Sequence, residues 1–163
     1  MAIQNILIGK DQKVLRTKTK KVTSFTKDLQ KLIEDLLDTV HAAEGAGLAA
    51  PQIGISQRVT IARIGEEFVP LVNPEILWKS DQVIVGEEGC LSLPDIWLQI
   101  PRAKEIVLRF SDEKGEEHER KLEGFDARVV QHEVDHLDGV LIVDYRAVSP
   151  KKGQSREKVR RKI

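Results

Sequence analysis

The stretch QHEVDHLDG, residues 131–139, organises this chain. It contains the pattern H-E-x-x-H, in which His132 and His136 are one turn apart if the stretch is helical. Both imidazoles can then bind one divalent metal ion, while Glu133 reaches a water molecule beside it. The pattern indicates a metal-dependent hydrolase, although these five letters are also compatible with a surface helix that carries two solvated histidines.

The residues before this motif extend its buried face. Between residues 124 and 137, Phe125, Val129, His132 and His136 follow one another at intervals of four, three and four, as on one side of an α-helix. Such an apolar stripe must pack against a sheet, with its histidine end open to a cleft. We therefore predict a buried helix over residues 124–137, with Gly139 just beyond its C-cap.

Other segments predict a mixture of helix and strand. Apolar residues between 29 and 40 have helical spacing and indicate a helix that starts after Thr26 and ends at Gly45. Residues 45–52, GAGLAAPQ, are predicted as an irregular loop of small residues that lets another chain approach closely. Runs rich in Val, Ile and aromatic residues predict strands at residues 59–64, 69–72, 76–78, 83–85, 96–100, 106–110, 116–122 and 141–145.

Length and composition fit one globular domain. The chain has 163 residues, of which 40% are hydrophobic, and no apolar run approaches the ~20 residues that span a bilayer. The first five residues lack the pattern of a secretory signal, in which a charged segment precedes an apolar one. A lone cysteine, Cys90, excludes an internal disulfide and is compatible with a reducing compartment. We expect a cytoplasmic monomer that does not bind membranes.

Charge divides the sequence into an acidic body and a basic tail. Residues 151–163 contain seven Lys/Arg and one Glu, or +6, and the whole chain is neutral, so residues 1–150 carry −6. We predict a single metallohydrolase domain over residues 1–150 and a basic C-terminal tail over residues 151–163. The body has few aromatic residues and no DNA-binding module, whereas the tail can attach to the phosphates of ribosomal RNA.

A catalytic metal site needs a third protein ligand beside the two histidines, with one position left open. The candidates are Cys90 or a carboxylate. Cys90 lies between predicted strands in EGCLSLP, residues 88–94, and follows Gly89, which permits close approach. A buried free cysteine without a ligand role is the alternative.

Three stretches together resemble the motifs of the peptide deformylase family, in the family's order and spacing: residues 45–52, 88–92 and 131–139. The resemblance covers residues 1–150. It implies hydrolysis of the formyl group of N-formylmethionyl peptides that emerge from the ribosome, with release of formate. With the predicted elements, we expect an α+β fold in which antiparallel and mixed β-sheets pack around a central helix carrying H-E-x-x-H, with an N-terminal helix and a C-terminal basic tail.

The resemblance also implies a role for each catalytic residue. Cys90, His132 and His136 would hold the metal, and Glu133 would take a proton from the attacking water and return it to the leaving amine. Two donors would stabilise the oxyanion, the backbone N–H of Leu91 and the side-chain amide of Gln52. The family's most active metal is Fe(II), with zinc, nickel or cobalt as substitutes.

Further residues would bind the substrate or support the site. Gly45, Ala46, Gly47 and Gly89 would accept the peptide backbone as an added strand. Phe125 and Val129 are candidates for the methionine pocket, and Glu88 and Arg102 would form a supporting ion pair.

Two other functions compete with this interpretation. A zinc endopeptidase shares the H-E-x-x-H signature, but it needs a downstream acidic or histidine ligand, for which Asp144 and Glu157 are weak candidates. A ribosome-associated binding protein with a structural metal would explain the basic tail. Glu133 argues against it, because a structural metal site has no use for a carboxylate beside its ligands.

Overall fold

The computed structural model describes residues 2–145 and 162–163. Within them lie two α-helices and seven β-strands, in the order α1 (Lys27–Ala42), β1 (Gly47–Ala49), β2 (Val59–Ile64), β3 (Glu67–Lys79), β4 (Val83–Cys90), β5 (Leu93–Ala103), β6 (Glu105–Ser111), β7 (Glu117–Glu123) and α2 (Gly124–Leu137). Short 3-10 helices lie at Lys13–Arg16, Ala50–Ile53 and Ile142–Asp144. Among the described residues, no helix is long and apolar enough to cross a membrane.

The strands form a five-stranded sheet, in the order β1-β2-β3-β6-β7, and a separate two-stranded sheet of β4 and β5. The predicted α+β class is confirmed. Mixed sheets were also predicted, but every ladder between these strands is antiparallel. Four of the five pairings join strands that are consecutive in the chain, whose short connections favour antiparallel pairing because parallel neighbours need a long crossover. The fifth pairing, between β3 and β6, is separated in the chain by β4 and β5.

Strand β2 is buried on both faces. Val59 and Ile61 belong to an apolar cluster with α1, whereas Ala62 and Ile64 belong to a second cluster with α2. Side chains alternate between the faces of a strand, so one strand can contact both helices. The polar Thr60 therefore faces α2 from the interior of the sheet, with no exposed surface.

A third apolar cluster attaches the two-stranded sheet to the rest of the domain. It consists of Leu15, Cys90, Leu93, Ile100, Leu141 and Ile142. Strand β5 also contacts α2. The end of β4, which carries Cys90, is thereby held against the helix that carries H-E-x-x-H.

Two predicted features around the first motif are wrong. Helix α1 ends at Ala42, and Glu44, not Gly45, makes the left-handed turn, with φ +53°. Residues 45–52 are not an irregular loop, because they contain β1 and the 3-10 helix Ala50–Ile53. Small side chains let this segment pair with β2, with Gly47 opposite Ala62. Pairing of this kind is a long-range property that the local composition does not indicate.

The predicted strand at residues 141–145 is also wrong, because the chain forms the 3-10 helix Ile142–Asp144 there. The Asp144 carboxylate accepts a hydrogen bond from the Leu141 N–H at 2.9 Å and pairs with Arg16 at 2.6 Å. A side chain that bonds to the nearby backbone in this way favours a turn over a strand. In addition, the predicted strands at 69–72 and 76–78 are parts of one irregular strand, β3.

The predicted boundary at Pro150 and most of the basic tail, residues 150–161, lie outside the described residues. The division of the chain into 1–150 and 151–163 stays a prediction. Only Lys162 and Ile163 of the tail are described, and Ile163 is buried.

Candidate metal and active site

Helix α2 places His132, Glu133 and His136 in the interior, where each side chain is at most 2% exposed. The bounds of α2 are those predicted, 124–137. Its end is marked by Gly139, with φ +76°, where a left-handed residue ends the helix at low steric cost. The Nε2 atoms of His132 and His136 are 3.1 Å apart, so both rings point to one place.

Cys90 joins these histidines from the end of β4. An irregularity in the β4–β5 pairing falls between Gly89 and Cys90, and the Cys90 Sγ lies 3.4 Å from His136 Nε2. Ligand atoms of Cys90, His132 and His136 all lie within 4.8 Å of one another, and all three residues are buried. We name these three residues the ligand cluster.

The ligand cluster fits a divalent metal ion. His132 Nδ1 lies 2.8 Å from a Glu88 oxygen, and an ionised carboxylate only accepts hydrogen bonds, so Nδ1 carries the proton and Nε2 presents its lone pair. A sulfur and two ring nitrogens converging in a buried place are a donor set that several first-row metals accept. Burial keeps His136 neutral, because desolvation lowers its pKa well below the ordinary value.

Glu133 lies beside the ligand cluster with no exposed surface. One carboxylate oxygen accepts a hydrogen bond from the Thr60 hydroxyl at 2.9 Å. The other oxygen, Oε1, has no hydrogen-bond partner among the described residues. Desolvation raises the pKa of Glu133 to about 8, and the Thr60 hydrogen bond offsets part of this rise.

Gly47 leaves room for this carboxylate. A Cβ atom at Gly47 would lie 2.5 Å from Glu133 Oε1 and 2.8 Å from its carboxyl carbon. A side chain at this position would therefore displace either β1 or Glu133. The absence of a side chain at Gly47 thus makes room for the Glu133 carboxylate, and the substrate contact implied by the resemblance stays a prediction.

Gln52 is fully buried on the 3-10 helix Ala50–Ile53. Its Oε1 accepts a hydrogen bond from the Ala49 N–H at 3.0 Å, which fixes the orientation of the amide. Its Nε2 donates to Ser92 Oγ at 3.1 Å and lies 3.9 Å from Cys90 Sγ. The side-chain N–H groups of Gln52 therefore point toward the segment that carries Cys90 and Leu91.

Glu88 is the centre of a buried charge network. Its carboxylate accepts two hydrogen bonds from Arg102, both at 2.9 Å, one from Arg128 at 2.6 Å, and one from His132 at 2.8 Å. Glu88 is fully buried, and both arginines are at most 4% exposed. Desolvation by itself would raise the pKa of Glu88, but the hydrogen bonds from Arg102 and His132 outweigh it and hold the pKa well below its usual range.

Asp135 extends this network toward the surface. Its Oδ2 accepts hydrogen bonds from Arg102 Nη1 and from the Tyr145 hydroxyl, both at 2.6 Å. Asp135 thus pairs with a cation of the same network. Desolvation and the bond to Asp135 raise the pKa of Tyr145 to about 12.

The predicted substrate residues lie on three parts of the fold: at or just before β1, at the end of β4, and on α2. Ala46 and Gly89 each present a backbone group to the same side, as shown by their contacts to Lys162 and Ile163. Val129 is fully buried, and Phe125 is half-buried against the apolar cluster that contains Val129. Gly45 packs near Leu91, since a Cβ there would lie 2.8 Å from the Leu91 side chain.

The sequence did not single out four residues that complete the site: Thr60, Ser92, Arg128 and Tyr145. Arg128 had a usable signal, because it lies one turn before His132 on a helix predicted to be buried. Histidines 41 and 118 lie away from the ligand cluster. His41 makes an edge contact with Phe68, and His118 pairs with Asp112 at 2.8 Å.

One cysteine and two histidines converge in a buried place on an α+β scaffold, with a glutamate beside them. This arrangement defines a metal-dependent hydrolase of the H-E-x-x-H class. Comparisons with known proteins narrow this class. A sequence model of the family described as polypeptide deformylase matches residues 3–152. The peptide deformylase of Thermotoga petrophila is 50% identical over 139 residues, which are 85% of this chain and 84% of that protein.

Solved structures agree with this result. The crystal structure of peptide deformylase from Thermotoga maritima is 45% identical and has a TM-score of 0.86, with 92% of this chain and 100% of that chain covered. The Met-Ala-Ser bound crystal structure of class I type b peptide deformylase from Acinetobacter baumannii is 34% identical and has a TM-score of 0.83, with 88% and 98% covered. This chain belongs to the peptide deformylase family, and it removes the formyl group from nascent peptides.

Proposed function

We propose that Cys90, His132 and His136 hold a divalent metal ion, and that Glu133 is the general base and acid in the hydrolysis of N-formylmethionyl peptides. The observation that carries this assignment is the Glu133 carboxylate. It is fully buried beside the ligand cluster, with one oxygen bonded to Thr60 and the other without a partner among the described residues. A purely structural metal site does not need a buried acid in this position.

The reaction replaces the formyl C–N bond with a C–O bond. Cys90, His132 and His136 would hold a metal ion whose Lewis acidity would polarise the formyl oxygen and lower the pKa of water. Glu133 Oε1 accepts a proton from the attacking water and later donates a proton to the leaving amine, so that formate and a free N-terminal methionine are released. Thr60 keeps the carboxylate in one orientation during both transfers.

The oxyanion that develops on the formyl oxygen needs hydrogen-bond donors. We assign this role to Gln52 Nε2 and the backbone N–H of Leu91. The Gln52 amide is supported by the bond from Ala49 to its Oε1, so its N–H groups are already oriented before the reaction. Each oxyanion donor of this kind is typically worth about 3 kcal/mol of transition-state stabilisation.

The substrate backbone binds between Ala46 and Gly89, which offer an N–H donor and a carbonyl acceptor. The methionine side chain enters the apolar region near Val129 and Phe125. The related protein from Acinetobacter baumannii is described as bound to Met-Ala-Ser, which supports an extended peptide as the ligand here.

The experiment that tests this function compares two substrates. Purified, metal-loaded protein should release formate from formyl-Met-Ala-Ser and should leave an internal peptide bond of a longer blocked peptide intact. The reason is that a groove between Ala46 and Gly89 places the formyl end of the peptide at the ligand cluster. Cleavage of the internal bond at a comparable rate would instead assign the protein to the endopeptidases.

The working metal is proposed to be Fe(II), on the basis of the family resemblance. Fe(II) and a cysteine thiolate are both oxidised by air. We expect activity of iron-loaded protein to decay in aerated buffer, while nickel-loaded protein from the same preparation keeps its activity. Iron-loaded protein that is stable in air would contradict Fe(II) as the working metal.

The basic residues 151–163 are proposed to bring the enzyme to ribosomal RNA, where nascent peptides emerge in the cytoplasm. The charge of +6 in this stretch supports the proposal. Deletion of the stretch should remove a ribosome affinity that falls steeply with salt, as contacts to phosphates do. Equal ribosome affinity with and without it would remove the proposal.

A further inference from the structure

Lys162 and Ile163 connect the two sheets at the peptide groove. The Ala46 N–H donates to the Lys162 carbonyl at 3.0 Å, and the Ile163 N–H donates to the Gly89 carbonyl at 3.2 Å. Lys162 also forms an isolated parallel bridge with Gly89. These two residues of the chain therefore use the same backbone groups that are proposed to bind the substrate.

The geometry is that of a peptide added to sheet edges. Strand β1, which Ala46 precedes, is an edge of the five-stranded sheet, and β4 pairs only with β5 in the described part of the chain. At these edges the Ala46 N–H and the Gly89 carbonyl are the groups bonded to Lys162 and Ile163. An extended segment with hydrogen bonds to each edge satisfies groups that a formyl peptide would otherwise satisfy.

The Ile163 side chain also takes an apolar position. It is 1% exposed and belongs to the buried cluster that contains Ala46, Val129 and Val130, against which Phe125 packs. This is the region proposed for the methionine side chain of the substrate. Backbone and side chain thus both compete with substrate, since two segments cannot occupy one groove.

We propose that residues 162–163 are an autoinhibitory segment that competes with formyl peptides for the groove between Ala46 and Gly89. The placement of the segment is independent of the reaction, whereas its inhibitory role rests on the proposed function. Binding of a nascent peptide requires the segment to leave, so the protein is in equilibrium between a self-occupied and an open form.

The strength of this inhibition follows from tethering. Residues 146–161 separate Tyr145 from Lys162, and sixteen residues reach up to about 50 Å, which is enough to cross a domain of this size. A segment joined covalently to the domain over a span of this length acts at an effective concentration in the millimolar range. A contact whose dissociation constant is about 2-fold to 9-fold below this effective concentration would raise the KM for substrate roughly 3-fold to 10-fold and leave kcat unchanged.

The test uses Ile163→Asp in the full chain, with Ile163→Met as its matched control. An aspartate in a buried apolar position expels the segment, because an unpaired charge is costly to bury. With formyl-Met-Ala-Ser, Ile163→Asp should lower KM about 3-fold to 10-fold at unchanged kcat, whereas Ile163→Met should keep the wild-type KM. Loss of a merely structural contact would instead lower kcat or stability without lowering KM.

A second measurement does not depend on activity. Amide hydrogen exchange at Ala46 should be slow in the wild type and in Ile163→Met and fast in Ile163→Asp, because the Ala46 N–H bonds to Lys162. Binding of unformylated Met-Ala-Ser, measured by calorimetry, should tighten by the same factor in Ile163→Asp. If no variant releases formate, the proposed function fails while these two readouts still test the segment. Equal exchange and equal tripeptide affinity in all three proteins would overturn the proposal.

Discussion

Replacing Glu133 with glutamine lowers kcat for formate release by about 1,000-fold, the range in which general acid–base groups contribute. Glutamine keeps the shape of the side chain and an oxygen that accepts the Thr60 hydrogen bond seen at 2.9 Å. It cannot accept the proton of the attacking water. Because Glu133 is not a member of the ligand cluster, the variant should bind as much metal as the wild type. Formate release and metal content are measured on the same samples.

Two variants complete this experiment. Glu133→Ala should lose turnover to a similar extent and also keep its metal, which separates loss of the base from an effect of the new amide. Thr60→Val is the matched control, since it removes the hydrogen bond and retains the carboxylate. It should lower kcat by only about 5-fold, because a positioning contact of this kind is worth roughly 1 kcal/mol. A metal-loaded Glu133→Ala variant with wild-type turnover would remove Glu133 as the base.

The parts of this site that lie on one helix could be predicted from the sequence. The bounds of α2 match the predicted 124–137, because its apolar residues repeat regularly and glycines mark both ends. His132, Glu133 and His136 therefore share a location that follows from helical geometry alone. The position of Cys90 required the resemblance, since the contact of β4 with α2 depends on packing between distant segments.

The missed features have a common physical cause. Whether residues 45–52 form a strand is decided by pairing with β2, and whether Arg128 is internal is decided by the presence of Glu88 on β4. Neither fact can be deduced from hydrophobic periodicity. In the sequence, a run of small residues resembles a loop, and a single charged residue resembles a surface position. Buried polar contacts of this kind depend on partners far away in the sequence.

The Glu88 network provides the second large expected effect, which is on stability. Replacing Glu88 with glutamine leaves Arg102 and Arg128 buried beside a neutral amide, with Asp135 as the remaining anion near Arg102. Removing one partner of a buried ion pair typically costs 3–5 kcal/mol, about what we expect here for the free energy of unfolding. Metal affinity should fall by about 10-fold to 100-fold, because Glu88 also orients the His132 ring. Urea unfolding and a metal-binding titration measure the two effects.

A surface pair is the matched control for this prediction. Glu75 lies 2.9 Å from Arg109, but the two side chains are 58% and 43% exposed, so Glu75→Gln should change stability by less than about 1 kcal/mol. The double variant Glu88→Gln/Arg128→Met removes one cation along with the anion and should recover part of the lost stability, since fewer buried charges are left unpaired. If the stability losses of the single variants Glu88→Gln and Arg128→Met simply add in the double variant, the two residues are not coupled through charge. The network would then stabilise the ligand cluster through packing instead.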